Sequence, residues 1–460
     1  MLTLLIKKVF LTVFLGMVLF WIPVQGQRVL QGYIDTAFKN NIVLQQKNVS
    51  LEKAQYALKT AKGLFLPTVA FQAAYQTADG GRNIPLPLGD LMNPVYHTLN
   101  QITGNNNFPM LENQTINFLP KNFHDAKLRT TVPIINTDIL YNKRIAQQQL
   151  VLQEYEVQIY KRDLVKEIKT AYYNYLSALD GVAIYKSGLA LAKESLRVNE
   201  KLLENGKGLP AYVLRSQSEV ESVNATLLDA EQKVVNARLY FNFLLNRDAN
   251  EAIIAEVNNG ATELAKVEGL LAGLNVASER EELKALEEVE GINRNVQKMN
   301  SQFAVPKLGA FLDVGTQSEG FKFSNNTRYY MLGLQLEIPI FSGNRNSNKY
   351  KESTLDLKNA VLNSNLVAQQ LSMSAKVSQN GLRSAYQTYQ SSQKQFEAAA
   401  TYLRLIERGY LAGTNSFVET IDARNQYTSS KILVNINFYK VLNAMANIER
   451  ETASYIISTP

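Results

Sequence analysis

The hydrophobic pattern of this chain changes period along its length, and it does so twice in the same order. Val69, Phe71, Ala73 and Tyr75 alternate with Thr68, Ala70, Gln72 and Gln76, the two-residue period of a strand with one apolar and one polar or small face. Ala126, Leu128, Thr130 and Val132 alternate with Lys127, Arg129 and Thr131 in the same way. The period then becomes helical. Ile168, Tyr175, Val182, Leu189, Leu196 and Leu203 recur every seven residues, with Leu164, Ala171, Ala178, Tyr185 and Ala192 at a companion position. Such a sustained heptad predicts coiled-coil packing. A helix from Asp138 to Asn205 is a rod of about 100 Å at 1.5 Å per residue.

The second half restates the plan. Leu308, Ala310, Leu312 and Val314 oppose Lys307, Gly309, Asp313 and Gly315, and Tyr330, Leu332, Leu334, Leu336 and Ile338 oppose Met331, Gly333, Gln335 and Glu337. Leu355, Leu362, Leu366, Met373 and Val377 then keep sevens and fours along a second long helix. Pro and Gly punctuate both copies alike. Pro67 and Pro306 open the strands, Pro133 and Pro339 close them, and Gly206 and Gly413 mark the helix tips. From Pro133 to Gly206 is 73 residues, and from Pro339 to Gly413 is 74. A helix over 34–64 precedes the first strands, and Asn41-x-x-Leu44 stands before Pro67 at the spacing by which Arg280-x-x-Leu283 stands before Pro306. The organisation predicted is a signal peptide over 1–26, a first repeat over 27–247, a linker or equatorial segment over 248–279, a second repeat over 280–450 and a tail over 451–460. Repeats of this kind suit a tubular assembly better than a catalytic globule.

Composition narrows the function. Lys7 and Lys8 precede an apolar run over 9–24 and the small-residue site Val24-Gln25-Gly26, which reads as a secretory signal. Without its two lysines, 46 Lys and Arg face 41 acids, a surplus of five spread along the chain that leaves no nucleic-acid footprint. Zero cysteines remove disulfides, thiol catalysis and thiolate metal sites, and the only histidines, His97 and His124, share one loop region. No nucleophile elbow, phosphate loop or HExxH motif occurs, so neither an enzyme nor a cofactor is expected. The eight methionines are scattered and suggest no soft-metal path. After the signal no run of 18 apolar residues exists, but a β-barrel needs only alternating segments of about 10 residues. Four short strands do not close a barrel alone, so a membrane reading demands an oligomer. The loop over 78–125, rich in Gly, Asn and Pro, fits the long-loop side of such a barrel.

The stretch from Arg408 to Ala423, with Tyr410, the Gly413-Thr414 turn, Glu419 and Asp422-Ala423, resembles the tip motif of the TolC-like outer-membrane efflux proteins. The resemblance covers nearly all of residues 27–450. It implies a mainly helical fold with a membrane β portion: a homotrimer with a twelve-stranded barrel, four strands per protomer, continuous with a periplasmic helical tunnel. It also implies a periplasmic adaptor and an inner-membrane pump, of RND or ABC type, as partners in efflux or type I secretion. The competing class is a secreted coiled-coil structural or adhesive protein.

At the tips, Glu419 and Asp422 fall near one face of the returning helix. Repeated in a trimer, they make carboxylate rings that favour cations. Ser416-x-x-Glu419 also spells a capping box, a sufficient reason for Glu419. Counting from the glycines, Tyr212 stands opposite Glu419 and Arg215 opposite Asp422, so an Arg215–Asp422 contact is a candidate closure. In family members an acid of the first tip often meets a Tyr and an Arg of the second. Tyr410 is present here, whereas Asn415 stands where Arg is often seen. Gly206, Gly208 and Gly413 suit tight helix–helix turns. With Thr414 and Asn415 they are the expected adaptor-docking turns, on the resemblance alone.

Overall fold

A computed structural model describes residues 26–119, 121–256, 263–272 and 280–457. The expected signal peptide lies almost wholly outside the described residues, as do parts of the linker. The elements in chain order are α1 (Gly26–Asn40), α2 (Ile42–Gly63), β1 (Thr68–Gln76), β2 (Asn83–Leu86), α3 (Leu88–Thr103), β3 (Gln114–Asn117), β4 (Phe123–Ile135), α4 (Thr137–Glu204) and α5 (Pro210–Leu244). The second half continues with α6 (Lys266–Ala272), α7 (Glu281–Ser301), β5 (Lys307–Glu319), β6 (Arg328–Glu337), α8 (Arg345–Leu411) and α9 (Phe417–Glu451). The rods α4 and α8 are 68 and 67 residues long, and the returning helices α5 and α9 are 35 each. No described helix is long and apolar enough to cross a membrane.

The chain divides into two compact units. One holds residues 56–147 and 292–357, and the other holds 1–55, 148–291 and 358–460. The first unit carries an antiparallel sheet in the order β1-β4-β5-β6, so β1 and β6 each have one free edge. The alternation in sequence becomes two chemically opposed faces. Phe71, Leu128, Val314 and Tyr330 lie in one cross-strand row, and Val69, Thr130, Leu312 and Leu332 in the next. All but the half-buried Thr130 are exposed, Tyr330 at 80% and Leu332 at 73%. On the other face the Arg129 guanidinium donates two hydrogen bonds to Asp313, at 2.7 and 2.6 Å. Lys127 pairs with Asp125 at 3.0 Å, and the Tyr329 hydroxyl donates to Asp125 at 2.8 Å. Gly315 makes room for this network, since a Cβ there would stand 2.5 Å from the Ala126 carbonyl oxygen. The pattern is inverted for a water-soluble sheet: ion pairs gather on one side and large apolar groups meet the surroundings on the other.

The segment expected as a bare loop over 78–125 is structured. β2 pairs with β3, and α3 lies between them. Its asparagines act as partners for extended backbone. Asn93 donates to the Leu111 carbonyl and accepts from the Leu111 amide, and Asn100 does the same with Phe108. Asn-rich composition suggested a loop because these side chains replace backbone partners.

The helix expected over 34–64 is also two helices. Asn41 interrupts it: its side-chain oxygen accepts from the Leu44 amide at 3.0 Å, capping α2, while its amide group donates to the Leu244 carbonyl at 2.9 Å. In the second unit a core of Ile34, Leu164, Ile168, Tyr172, Phe241 and Leu442 joins α1, α4, α5 and α9. Arg280 stands in Asn41's place in copy two, 1% exposed, and donates to the Glu451 carbonyl at 2.8 Å. Leu244 and Glu451 are the last residues of the two returning helices. The two copies thus bind the same carbonyl with different side chains.

The heptads of the two rods have different fates. Along α4 the expected seam is inside the single chain: Ile168, Tyr175 and Val182 are buried, as are Leu164, Ala171 and Ala192. Along α8 the expected seam is outside, with Leu355 at 66% and Met373 at 61% exposure. The buried stripe of α8 is instead Ala375, Ser378, Leu382, Tyr389, Ser392, Ala399 and Leu403. It too keeps helical spacing, in threes, fours and sevens. Small and hydroxyl-bearing residues hide it from a count of large aliphatics.

Candidate gate at the helix tips

Both rods end in the same motif. Gly206 has φ of 69° and Gly413 of 78°, the left-handed region that glycine enters without a Cβ penalty. Around Gly206 the Lys207 amide donates to Leu202 and the Gly206 amide to Leu203; around Gly413 the Thr414 amide donates to Gly409 and the Gly413 amide to Tyr410. These are paired Schellman caps. The returning helices close the same way, with left-handed Asn246 and Ala453 each 40 residues beyond the tip glycine. Gly208 is required for space, since a Cβ would lie 2.7 Å from the Leu203 nitrogen. A Cβ at Gly409 would collide with the Asn415 side chain.

After the turn the tips part. α5 starts on Leu209 with Pro210 in its first turn and no side-chain cap, a use of proline where the amide is unpaired anyway. α9 starts on Ser416, whose hydroxyl accepts from the Glu419 amide while the Glu419 carboxylate accepts from the Ser416 amide at 2.6 Å. Asn415 donates to the same carboxylate at 3.3 Å, and Thr414 donates to the Gly409 carbonyl at 3.0 Å. The Ser416 amide and hydroxyl, then Asn415, hold the Glu419 carboxyl below its ordinary range. Glu419 is therefore engaged in its own helix start.

Asp422 is exposed and accepts from Gln426 of its own helix at 2.8 Å. Arg215 is exposed and does not pair with Asp422; among the described residues it has no ion pair. The closure expected between these two is absent within one chain, because both side chains sit on the exposed faces of their helices.

Tyr410 makes the contact that joins the tips. Its hydroxyl donates to Asn199 of α4 at 2.6 Å, the Asn199 amide donates to the Ser216 hydroxyl of α5 at 2.7 Å, and Ser216 donates to the Tyr212 carbonyl at 2.9 Å. Asn199 and Ser216 are 2% and 1% exposed. Burial, then the neighbouring Tyr212, raises the Tyr410 phenol above its usual range, so it stays a donor. Buried Phe417 packs its ring on Tyr212 at 5.1 Å and Tyr410 at 5.9 Å. Arg424 of α9 bonds Glu407 of α8 at 3.1 Å behind them. Asn199, Ser216 and Phe417 were not singled out from sequence. A signal existed for Asn199: it is the next companion position after Ala192, a polar side chain on a heptad seam.

Comparison with known proteins agrees with this architecture. The model of the outer membrane efflux protein family matches residues 33–247 and 272–452. None of the curated protein sequences matches. Among solved structures, the CmeC outer membrane channel of Campylobacter jejuni is similar at a TM-score of 0.72 and 14% identity, over 92% of this chain and 85% of its own. The outer membrane protein VceC of Vibrio cholerae gives 0.72 and 13%, over 93% and 97%. The open state of the MtrE outer membrane channel of Neisseria gonorrhoeae gives 0.72 and 16%, over 92% and 88%. At these identities the structures speak for the fold, and the family model for the lineage. The chain belongs to the outer membrane efflux protein family, and is the outer-membrane exit component of an efflux system that extends into the periplasm.

Proposed function

We propose that the chain works as a homotrimer, in which three four-stranded sheets join edge to edge into a twelve-stranded barrel and three sets of rods form the periplasmic tunnel. The observation that carries this reading is the sheet of the single chain: both edges open, the apolar face outward, the ion pairs on the other side. Open edges call for strand partners, and the inverted faces call for lipid outside and water within. The exposed heptad of α8 offers a second seam to the next copy. An inner-membrane pump and a periplasmic adaptor deliver solute to the tips, and the adaptor docks on the Gly206, Gly208, Gly413, Thr414 and Asn415 turns. The duct itself is passive.

In this reading the Tyr410–Asn199–Ser216 relay holds the two tips of one subunit together at rest, and Asp422 forms the cation-favouring ring. Glu419 serves the helix start and supports the ring only by fixing α9. The test is conductance of the purified protein in planar bilayers. Single-step openings, one per trimer, and a cation preference that falls in Asp422→Asn are expected, with larger openings in Tyr410→Phe. Single-chain behaviour without conductance, or an Asp422→Asn duct of unchanged selectivity, sinks the respective part.

A further inference from the structure

The outward face of the sheet carries a single fixed charge. Of the strand residues whose register places them with Tyr330, Leu332 and Leu334, only Arg328 is charged. It lies in the row Ala73, Ala126, Thr316, Arg328, next to the row Phe71, Leu128, Val314, Tyr330. The small residues of the first row beside the large ones of the second leave a mostly apolar groove of about 540 Å³ with Arg328 in its lining, reached from between the rows by Lys127 and Tyr329. Beyond the groove Phe321 stacks between Tyr75 and His124, at 5.3 and 5.4 Å, and Phe323 covers His124 at 4.8 Å.

An aromatic cluster at a strand end marks the boundary between hydrocarbon and head groups. Residues 76, 123, 319 and 328 are the strand ends opposite those that the chain joins to α2, α4, α7 and α8, and so in the proposed duct they lie toward the exterior. A cation on the lipid face is costly unless a counter-charge meets it there. Arg328 is exposed, and among the described residues it has no ion pair. Edge pairing with another copy supplies none, since β1 contains no acid, and Asp79 just beyond it is paired with Lys121 at 2.7 Å. The missing partner is an anion from the membrane. We infer that the groove binds a phosphorylated glycolipid of the outer leaflet, an acyl chain lying along the trough and a phosphate held by the Arg328 guanidinium, whose planar fork suits phosphate oxygens.

This inference rests on the reading that the apolar face meets lipid, and its test keeps the two apart. Full-length protein in neutral detergent is titrated with diphosphoryl lipid A, its dephosphorylated form and phosphatidylglycerol, and bound lipid is counted by native mass spectrometry. The wild type is expected to prefer diphosphoryl lipid A over both. Arg328→Gln is expected to weaken that binding about fivefold, the effect of one cation at an anionic surface, and Arg328→Lys to restore part of it. Equal binding by wild type and Arg328→Gln, or indifference to the phosphates, overturns the site. Preference for phosphatidylglycerol overturns the choice of glycolipid. Failure of the wild type to enter outer membranes would instead remove the lipid-facing reading itself.

Discussion

The rods α4 and α8 are 68 and 67 residues long, with apolar residues in sevens along one and in sevens and fours along the other, yet α4 buries that seam within the chain and α8 displays it. In the proposed trimer, copy one completes a subunit and copy two offers part of its surface to the next. The same division runs through the polar details. Copy one ties its returning helix with the neutral Asn41, whereas copy two uses Arg280 inside a network with Glu282 and Glu451, and Arg450 joins Glu282 to Asp163. Copy one starts its returning helix on Pro210, and copy two on a Ser416–Glu419 capping box. Equivalent backbones, once duplicated, have been given different tasks through side chains alone.

The largest effects should come from the buried charges. Arg280→Ala leaves the half-buried Glu451 without its cation and Glu282 with Arg450 alone, and should cost about 3–5 kcal/mol in a denaturation experiment. Asn41→Ala, its counterpart, should cost about 1–3 kcal/mol. Equal losses would erase the distinction between the copies. Burial pushes the Glu282 carboxyl up, but hydrogen bonds from Arg280 and the Arg450 charge outweigh it and hold the group below its ordinary range. Its contribution is thus complete above the ordinary glutamate range and is lost as pH falls through the lowered value, so the Arg280→Ala penalty should shrink in acid.

The rods give the next contrast. Leu164→Ala in the α4 seam should destabilise the subunit by about 2–5 kcal/mol. Leu362→Glu on the exposed stripe of α8 should leave helix content intact by circular dichroism and dissociate the trimer on native gels. An intact trimer with unchanged helix content would show the stripe to be ordinary surface. In the sheet, Leu334→Arg on the outward face should cost about 2–4 kcal/mol of insertion stability at mid-membrane, and Gln335→Arg on the opposite face should be tolerated. Urea resistance of the inserted protein reads both.

The smallest effect belongs to the tips. Ser416→Ala removes the cap of α9 at about 1 kcal/mol. Since Glu419 titrates below its ordinary range, the capping bond it accepts is whole above that range and disappears only as pH falls through the lowered value. A cap-dependent change in melting temperature that grows as pH falls would contradict this assignment.

Periodicity made the strands, both rods and the tip glycines legible, because each rests on a local rule: alternation, heptads, and the left-handed turn that only glycine enters freely. Three things were hidden for physical reasons. The inner stripe of α8 intersperses Ala and Ser among Leu382, Tyr389 and Leu403, and the small residues pack closely without looking hydrophobic. The segment after Ala78 folds through asparagine side chains that mimic backbone, and composition reads them as a loop. The Tyr410–Asn199–Ser216 relay joins residues 211 and 17 apart, and only the packing of three helices brings them together.

Left-handed caps at 206 and 413, then at 246 and 453, lie 207 residues apart in both pairs. Six copies of a half-length chain would satisfy the backbone of the proposed ring as well as three whole ones. Such a ring, however, would have one kind of tip. Joining two halves covalently alternates Pro210 with Ser416 and Arg215 with Asp422 around the entrance, and lowers its symmetry from sixfold to threefold. An aperture of that symmetry can close by moving every second finger while the others stay as the frame.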